Sequence, residues 1–122
     1  AYINDPMAEV TRYTHKEELA FRFMHYIIEE HSPDKDVTYY ARKLGLSAKS
    51  LTNLIRSISG KSARDWIVFY TIFEIKTLLR DSSLDIKAIA ARTHFPDHAT
   101  LSRYFRRYTG MTPTKYRESF FF

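Results

Sequence analysis

Apolar residues recur along most of this chain at steps of three and four, the spacing that gives a helix one hydrophobic stripe, rather than in the alternation expected of a half-buried strand. From Lys16 to about His31 the stripe is Leu19, Phe23, Met24, Ile27 and Ile28, and Ser32-Pro33-Asp34 ends it. A short helix follows from about Val37 to Leu44, with Gly45 at the turn. Ser47 is placed to cap the next helix, in which Leu51, Leu54, Ile55 and Ile58 are expected to face inward, and Gly60 stops it. A longer helix starts after Ser62 and runs to about Arg80, with Trp66, Ile67, Tyr70, Phe73, Leu78 and Leu79 as its apolar positions. Asp81-Ser82-Ser83 breaks it. Asp85 caps a short helix to about Thr93; Phe95-Pro96-Asp97 restarts the chain into a helix ending at Gly110, and Pro113 opens a last turn that includes Tyr116. The fold class predicted is all-α, with about seven helices.

The pattern also repeats. Shifted by 49 residues, Val37 to Leu46 matches Ile86 to Phe95; shifted by 50, Ser50 to Ile67 matches Thr100 to Arg117, the extra residue falling in the turn. Identities are few (Ala41 with Ala90, Leu51 with Leu101, Arg56 with Arg106, Gly60 with Gly110), but residue classes match at Leu54 with Tyr104, Ile55 with Phe105, Ile58 with Tyr108 and Trp66 with Tyr116. Each copy is a short helix, a tight turn and a second helix stopped by Gly, the pattern of a helix-turn-helix. The copies span about 37–60 and 86–110, joined by a linker helix over about 63–80. A double helix-turn-helix domain is thus predicted over 16–118, with 119–122 as a tail.

Composition narrows the function classes. The 122 residues allow one domain, or two very small ones sharing a core; there is no Cys, so neither a disulfide framework nor a thiolate zinc site is available, and no apolar run approaches the roughly 18 residues of a membrane span. The chain reads as soluble and intracellular. It opens at Ala1 without an initiator Met, which predicts a fragment or a processed product, and residues 1–15 read as a linker or arm leading from a missing upstream domain. The net charge of +5 is unevenly spread. Residues 1–36 hold four basic and eight acidic side chains, whereas 37–61 and 98–117 each hold five basic and no acidic ones. The two basic islands are the two helix-turn-helix copies, the footprint of a binder of phosphate backbones.

In a helix-turn-helix the second helix enters the major groove of DNA, so one of its faces must hold to the core while the other offers hydrogen-bond donors. The helix over about 48–58 displays Lys49, Asn53 and Arg56; the helix over about 97–109 displays His98, Ser102, Arg103 and Arg106. Arg pairs with guanine and Asn with adenine through two bonds each, which makes these seven the candidate base readers. Lys43, Ser47, Ser50, Lys61, Thr100 and Arg107 are the candidate phosphate contacts, with the Asp97 carboxylate opposing an anion at its helix start. A linker helix of about 18 residues would span about 27 Å, comparable to the 34 Å of one DNA turn, so one chain could fill two successive major grooves.

The run Leu101-Ser102-Arg103-Tyr104-Phe105-Arg106-Arg107-Tyr108-Thr109-Gly110-Met111-Thr112-Pro113, followed by Tyr116-Arg117, resembles the signature of the AraC/XylS family of bacterial transcription regulators. Leu44-Gly45-Leu46-Ser47 with Ser59-Gly60-Lys61-Ser62 resembles the family's first helix-turn-helix, and Ile86 with Ile89-Ala90 opens the second. The resemblance implies a seven-helix, homeodomain-like double-stranded DNA binder in the bacterial cytoplasm, associated with the nucleoid, acting on promoters through RNA polymerase and attached to an N-terminal effector-binding or dimerisation domain. By position it assigns base reading to Lys49, Asn53, His98, Ser102 and Arg103. Two departures stand out: Asn53 replaces a frequent Arg, and His94 replaces a common Gly, which predicts a different backbone conformation in the second turn.

Other chemistry is weakly represented. The five histidines have no metal-ligand spacing on one helix face, no Gly-rich phosphate loop or Ser-His-Asp set occurs, and Glu29-Glu30 and Asp34/Asp36 read as solvated surface rather than a general acid and base. No enzyme activity, metal or cofactor is expected. Tyr104, Phe105, Tyr108, Trp66 and Tyr116 share the inward faces and read as core. Phe120-Phe121-Phe122 is either a docking stripe or a packed or disordered tail. A helical module that docks to RNA polymerase or to a sensor domain is the alternative reading.

Overall fold

A computed structural model describes residues 14–121. All but the last two residues of the 1–15 arm, and Phe122 of the tail, lie outside the described residues. Within them the chain forms α1 (His15–Glu30), α2 (Val37–Lys43), α3 (Ala48–Ser59), α4 (Ala63–Leu79), α5 (Ile86–Arg92), α6 (His98–Thr109) and α7 (Pro113–Phe121), with no strand. The caps explain most boundaries. Thr14 and Glu17 form a reciprocal capping box at α1, Ser62 and Asp65 another at α4, and the side chains of Asp36, Ser47, Asp85 and Asp97 each accept the backbone N–H three residues on. α7 runs to Phe121 where a single closing turn was expected, so Phe120 and Phe121 are helical and exposed, their rings edge to face.

The apolar side chains gather into two cores strung on α4. Leu19, Phe23 and Ile27 of α1, Tyr40 and Ala41 of α2, and Leu51 and Ile55 of α3 close around Ala63 and Ile67 at the start of α4. Ile89 and Ala90 of α5, Phe95, and Leu101 and Phe105 of α6 close around Ile72, Ile75 and Leu79 at its end. Thr71, buried between them, returns its hydroxyl to the Ile67 carbonyl at 2.9 Å. α4 is therefore a shared axle. Its first half belongs to one helix-turn-helix and its second half to the other, and 17 residues give it a length of about 25 Å. Arg117 fixes α7 against the far end of α4, donating from Nε to the Leu79 carbonyl (3.0 Å) and from Nη2 to that of Asp81 (3.2 Å).

Two inward expectations fail at the edges of these cores. Ile28 is 55% exposed and Ile58 46%. Ile28 follows Ile27 by about 100° round the helix, which carries it off the buried stripe into a cleft with Glu29, His31 and Glu74. Ile58 lies one turn past Ile55, where the chain is already approaching the Gly60 stop, and lines a shallow apolar groove with Met24 and Trp66. The grouped aromatics do pack inward: Phe105 is fully buried, and Tyr104, Tyr108, Tyr116 and Trp66 are partly buried against the cores.

Candidate nucleic-acid interface

The two copies match in detail that identity alone does not reveal. Gly60 and Gly110 end α3 and α6 in the same left-handed conformation, at φ 79° and 77°. Ser59 and Thr109, one residue earlier, set their hydroxyls 2.8 and 2.7 Å from the carbonyls of Ile55 and Phe105 and accept the N–H groups of Lys61 and Met111 at 3.2 Å each. This hydroxyl pair falls at the same 50-residue shift as the rest of the repeat and was legible there. The turns match as well. Leu46 donates to the Ala41 carbonyl at 2.8 Å and Phe95 to that of Ala90 at 2.9 Å. His94 adopts φ 65° where Gly45 has 71°, so the different conformation predicted from the missing glycine does not occur. His94 instead takes up the left-handed geometry itself, at the steric cost of a Cβ.

This framework turns α3 and α6 the same way. Leu51 and Ile55 are buried on one face of α3 while Lys49, Asn53 and Arg56 are exposed on the other; Leu101 and Phe105 are buried on α6 while His98, Arg103 and Arg106 are exposed and Ser102 is half-buried. The described residues contain two ion pairs, His31 with Glu74 and Lys43 with Glu30, and neither involves α3 or α6. The basic side chains of both faces therefore keep their charge available to a polyanion. Arg103 rests along its helix, with Nη2 3.3 Å from Thr100 Oγ1.

The candidate phosphate contacts divide into committed and open groups. The Lys43 ammonium sits on the Glu30 carboxylate and over the rings of Tyr26 and Tyr39, 5.0 and 5.4 Å from their centroids, which offsets much of its charge. Its pairing with Glu30 raises its pKa and lowers that of the glutamate. Lys61 extends over Trp66 at 5.5 Å and Arg107 over Tyr108 at 5.4 Å, so both are ordered by an aromatic face while remaining exposed. The Ser47 hydroxyl accepts the Ser50 N–H (3.0 Å) and bonds the Ser50 hydroxyl (2.9 Å), which places both at the start of α3. At the start of α6 the Thr100 N–H, then the Thr100 hydroxyl, and more weakly Arg103 and His98 hold the Asp97 carboxyl below its usual range. An anion approaching α6 thus meets a fixed negative charge where one approaching α3 meets a neutral hydroxyl.

Two basic, capped helices mounted on a common helix define the class: a tandem helix-turn-helix DNA-binding domain. A family model described as "Helix-turn-helix domain" matches residues 40–119. The chain belongs to the AraC/XylS family of helix-turn-helix transcription regulators. It is 36% identical over 85 residues to the HTH-type transcriptional activator RhaR of Yersinia pseudotuberculosis serotype O:3, covering 70% of this chain and 29% of that protein. It is 29% identical over 92 residues to the arabinose operon regulatory protein of Salmonella typhimurium, covering 74% of this chain and 33% of that one. The chain thus spans about a third of the length of these curated relatives. Among solved structures, the C-terminal domain of the response regulator AraT from Geobacillus stearothermophilus matches with a TM-score of 0.76 at 22% identity, covering 87% of this chain and 88% of that one. The DNA-binding domain of AdpA, solved in complex with a target DNA, matches at 0.68 and 24%, covering 84% and 91%. These two structures share the fold. The chain is a DNA-binding module of a regulator and not an enzyme, and no helix among the described residues is long and apolar enough to cross a membrane.

Proposed function

We propose that the chain binds double-stranded DNA sequence-specifically by seating α3 and α6 in two successive major grooves. The observation that carries this reading is the pair of matched basic faces, each opposite a buried face and, among the described residues, outside any ion pair, on one continuous helix about 25 Å long. Lys49, Asn53 and Arg56 read one half-site; His98, Ser102, Arg103 and Arg106 read the other. Ser47, Ser50, Lys61, Thr100 and Arg107 hold phosphates, with Lys43 a lesser contributor because of Glu30. The natural setting of the activity is a longer regulator in the bacterial cytoplasm, on the nucleoid, whose N-terminal domain binds an effector or dimerises and which acts on RNA polymerase.

Selection of bound sequences from a random duplex library tests this directly. Two short motifs centred about one helical turn apart are expected; a single short motif would leave α3 without a base-reading role. The second reading, a helical module docking to polymerase or to a sensor domain, draws on Phe69 and Phe73, stacked on α4 and 49% and 58% exposed. Absence of salt-dependent DNA binding would favour it.

A further inference from the structure

The two cores share α4, and a continuous helix fixes how far apart they stand better than it fixes how one is rotated about the other. Rotation matters for a bipartite reader, because moving a half-site by one base pair shifts it about 3.4 Å along the duplex and turns it by about a tenth of a turn. A side-chain tie from the first half of α4 to a helix of the second core is a natural brake on such rotation, and one is present. Arg64, in the half of α4 that belongs to the first core, donates from Nη2 to the hydroxyl of Tyr108, near the end of α6, at 3.0 Å. The two residues are 44 apart in sequence. The bond is well supported at both ends. The Tyr108 ring centroid lies 5.4 Å from the Arg107 guanidinium and 4.8 Å from the centroid of the Tyr104 ring. The carboxylate next to Arg64, Asp65, does not compete for it, being bonded to the Ser62 N–H at 3.2 Å. The ion pair of His31 with Glu74 also crosses between the halves, but it reaches α4 and not α6.

We infer that the Arg64–Tyr108 bond sets the rotational register of α6 relative to α3, so that these two positioning residues select DNA sites by the spacing of their half-sites and not by base identity. This rests on the two-groove reading above.

The test is fluorescence anisotropy on duplexes carrying the selected site with its half-sites at the natural spacing, moved by one or two base pairs in either direction, and with one half-site only. Arg64→Met keeps the stem and loses the donor; Tyr108→Phe keeps the packed ring and loses the acceptor. Both variants are expected to lose severalfold of the wild-type preference for the natural spacing over a one-base-pair change, with affinity for the single half-site unchanged. Arg64→Lys, which retains a donor, is expected to restore part of the spacing preference in the wild-type background and none when combined with Tyr108→Phe. Spacing profiles for Arg64→Met and Tyr108→Phe that parallel the wild type would overturn the inference. So would an equal loss on every duplex including the single half-site, which is the behaviour of a phosphate contact or of a damaged fold. A wild-type chain indifferent to spacing would overturn the two-groove reading, and this inference with it.

Discussion

His31 and Glu74 join the end of α1 to the second half of α4, the imidazole presenting Nε2 to the Glu74 carboxylate and Nδ1 to the Ile27 carbonyl at 2.7 Å. With an acceptor facing each nitrogen, the arrangement favours the doubly protonated ring. Glu74 first, then the Ile27 carbonyl, raises the His31 pKa above its ordinary 6.5, against the opposing effect of burial. A raised folded-state value means that the stabilisation is fully present below about pH 6.5, where the unfolded ring is also charged, and is lost as pH rises through the folded-state value. Glu74→Gln is therefore expected to be less stable than the wild type by about 1 kcal/mol near pH 6, a magnitude typical of a partly exposed pair, with the gap closing as pH rises through the folded-state value of His31. Urea unfolding at several pH values measures this; a gap that stays constant with pH would refute it.

The caps of α3 and α6 differ in a way that bears on the proposed DNA affinity. Asp97 stands where the first copy has Ser47, and both side chains accept the N–H at the third helical position. Asp97→Ser should keep the cap, leaving the unfolding midpoint nearly unchanged. It should also tighten binding to any duplex, more at low salt than at high, since a fixed negative charge is removed from the phosphate approach. Anisotropy showing no gain on any sequence would mean that no phosphate comes near the start of α6.

The matched turns give opposite signs for paired substitutions. Nothing lies within 4 Å of a Cβ added at Gly45, so Gly45→Ala meets only the left-handed backbone and should cost about 1 kcal/mol. His94→Gly relieves that same strain at the second turn, and after the larger chain entropy of glycine is subtracted a gain of about 0.5 kcal/mol is expected. Denaturant midpoints of both variants decide the matter, and a loss on His94→Gly would show that the imidazole makes a compensating contact.

On α6, adjacent faces separate two kinds of contact. Arg103→Ala should cost about 1–3 kcal/mol on the selected site and little on random DNA, whereas Arg107→Ala should weaken every duplex and reduce the salt slope by about one. Titrations of both variants against both duplexes at several salt concentrations are the check. Equal losses for Arg103→Ala on specific and random DNA would remove it from base reading.

Most of the helical plan was legible because its signals are local. Ser47 and Asp85 cap the helices they were expected to cap, Ser62 and Asp97 cap the helices that start after them, and Gly60 and Gly110 end α3 and α6. The basic, outward faces of α3 and α6 followed from the positions of Leu51, Ile55, Leu101 and Phe105, which do point inward. What escaped depends on neighbours far away in the chain. Periodicity assigns Ile28 and Ile58 to an apolar stripe but not whether another helix reaches that part of it. No pattern links Arg64 to Tyr108 or His31 to Glu74, since each bond needs the packed cores to bring its ends together. His94 eluded its sequence reading for another reason: residue preference speaks to cost, and here the hydrogen bond from Phe95 to Ala90 and the burial of Phe95 and Thr93 impose the turn regardless.

The division of α4 between two cores has a consequence for how such a protein changes over time. On the two-groove reading proposed above, a substitution on the outer face of α3 changes one half-site preference and leaves the side chains that close the second core as they are, and the reverse holds equally. Each half can thus drift toward a new word while the other continues to anchor the molecule at the old address, so that a new target is reached through intermediates that still bind.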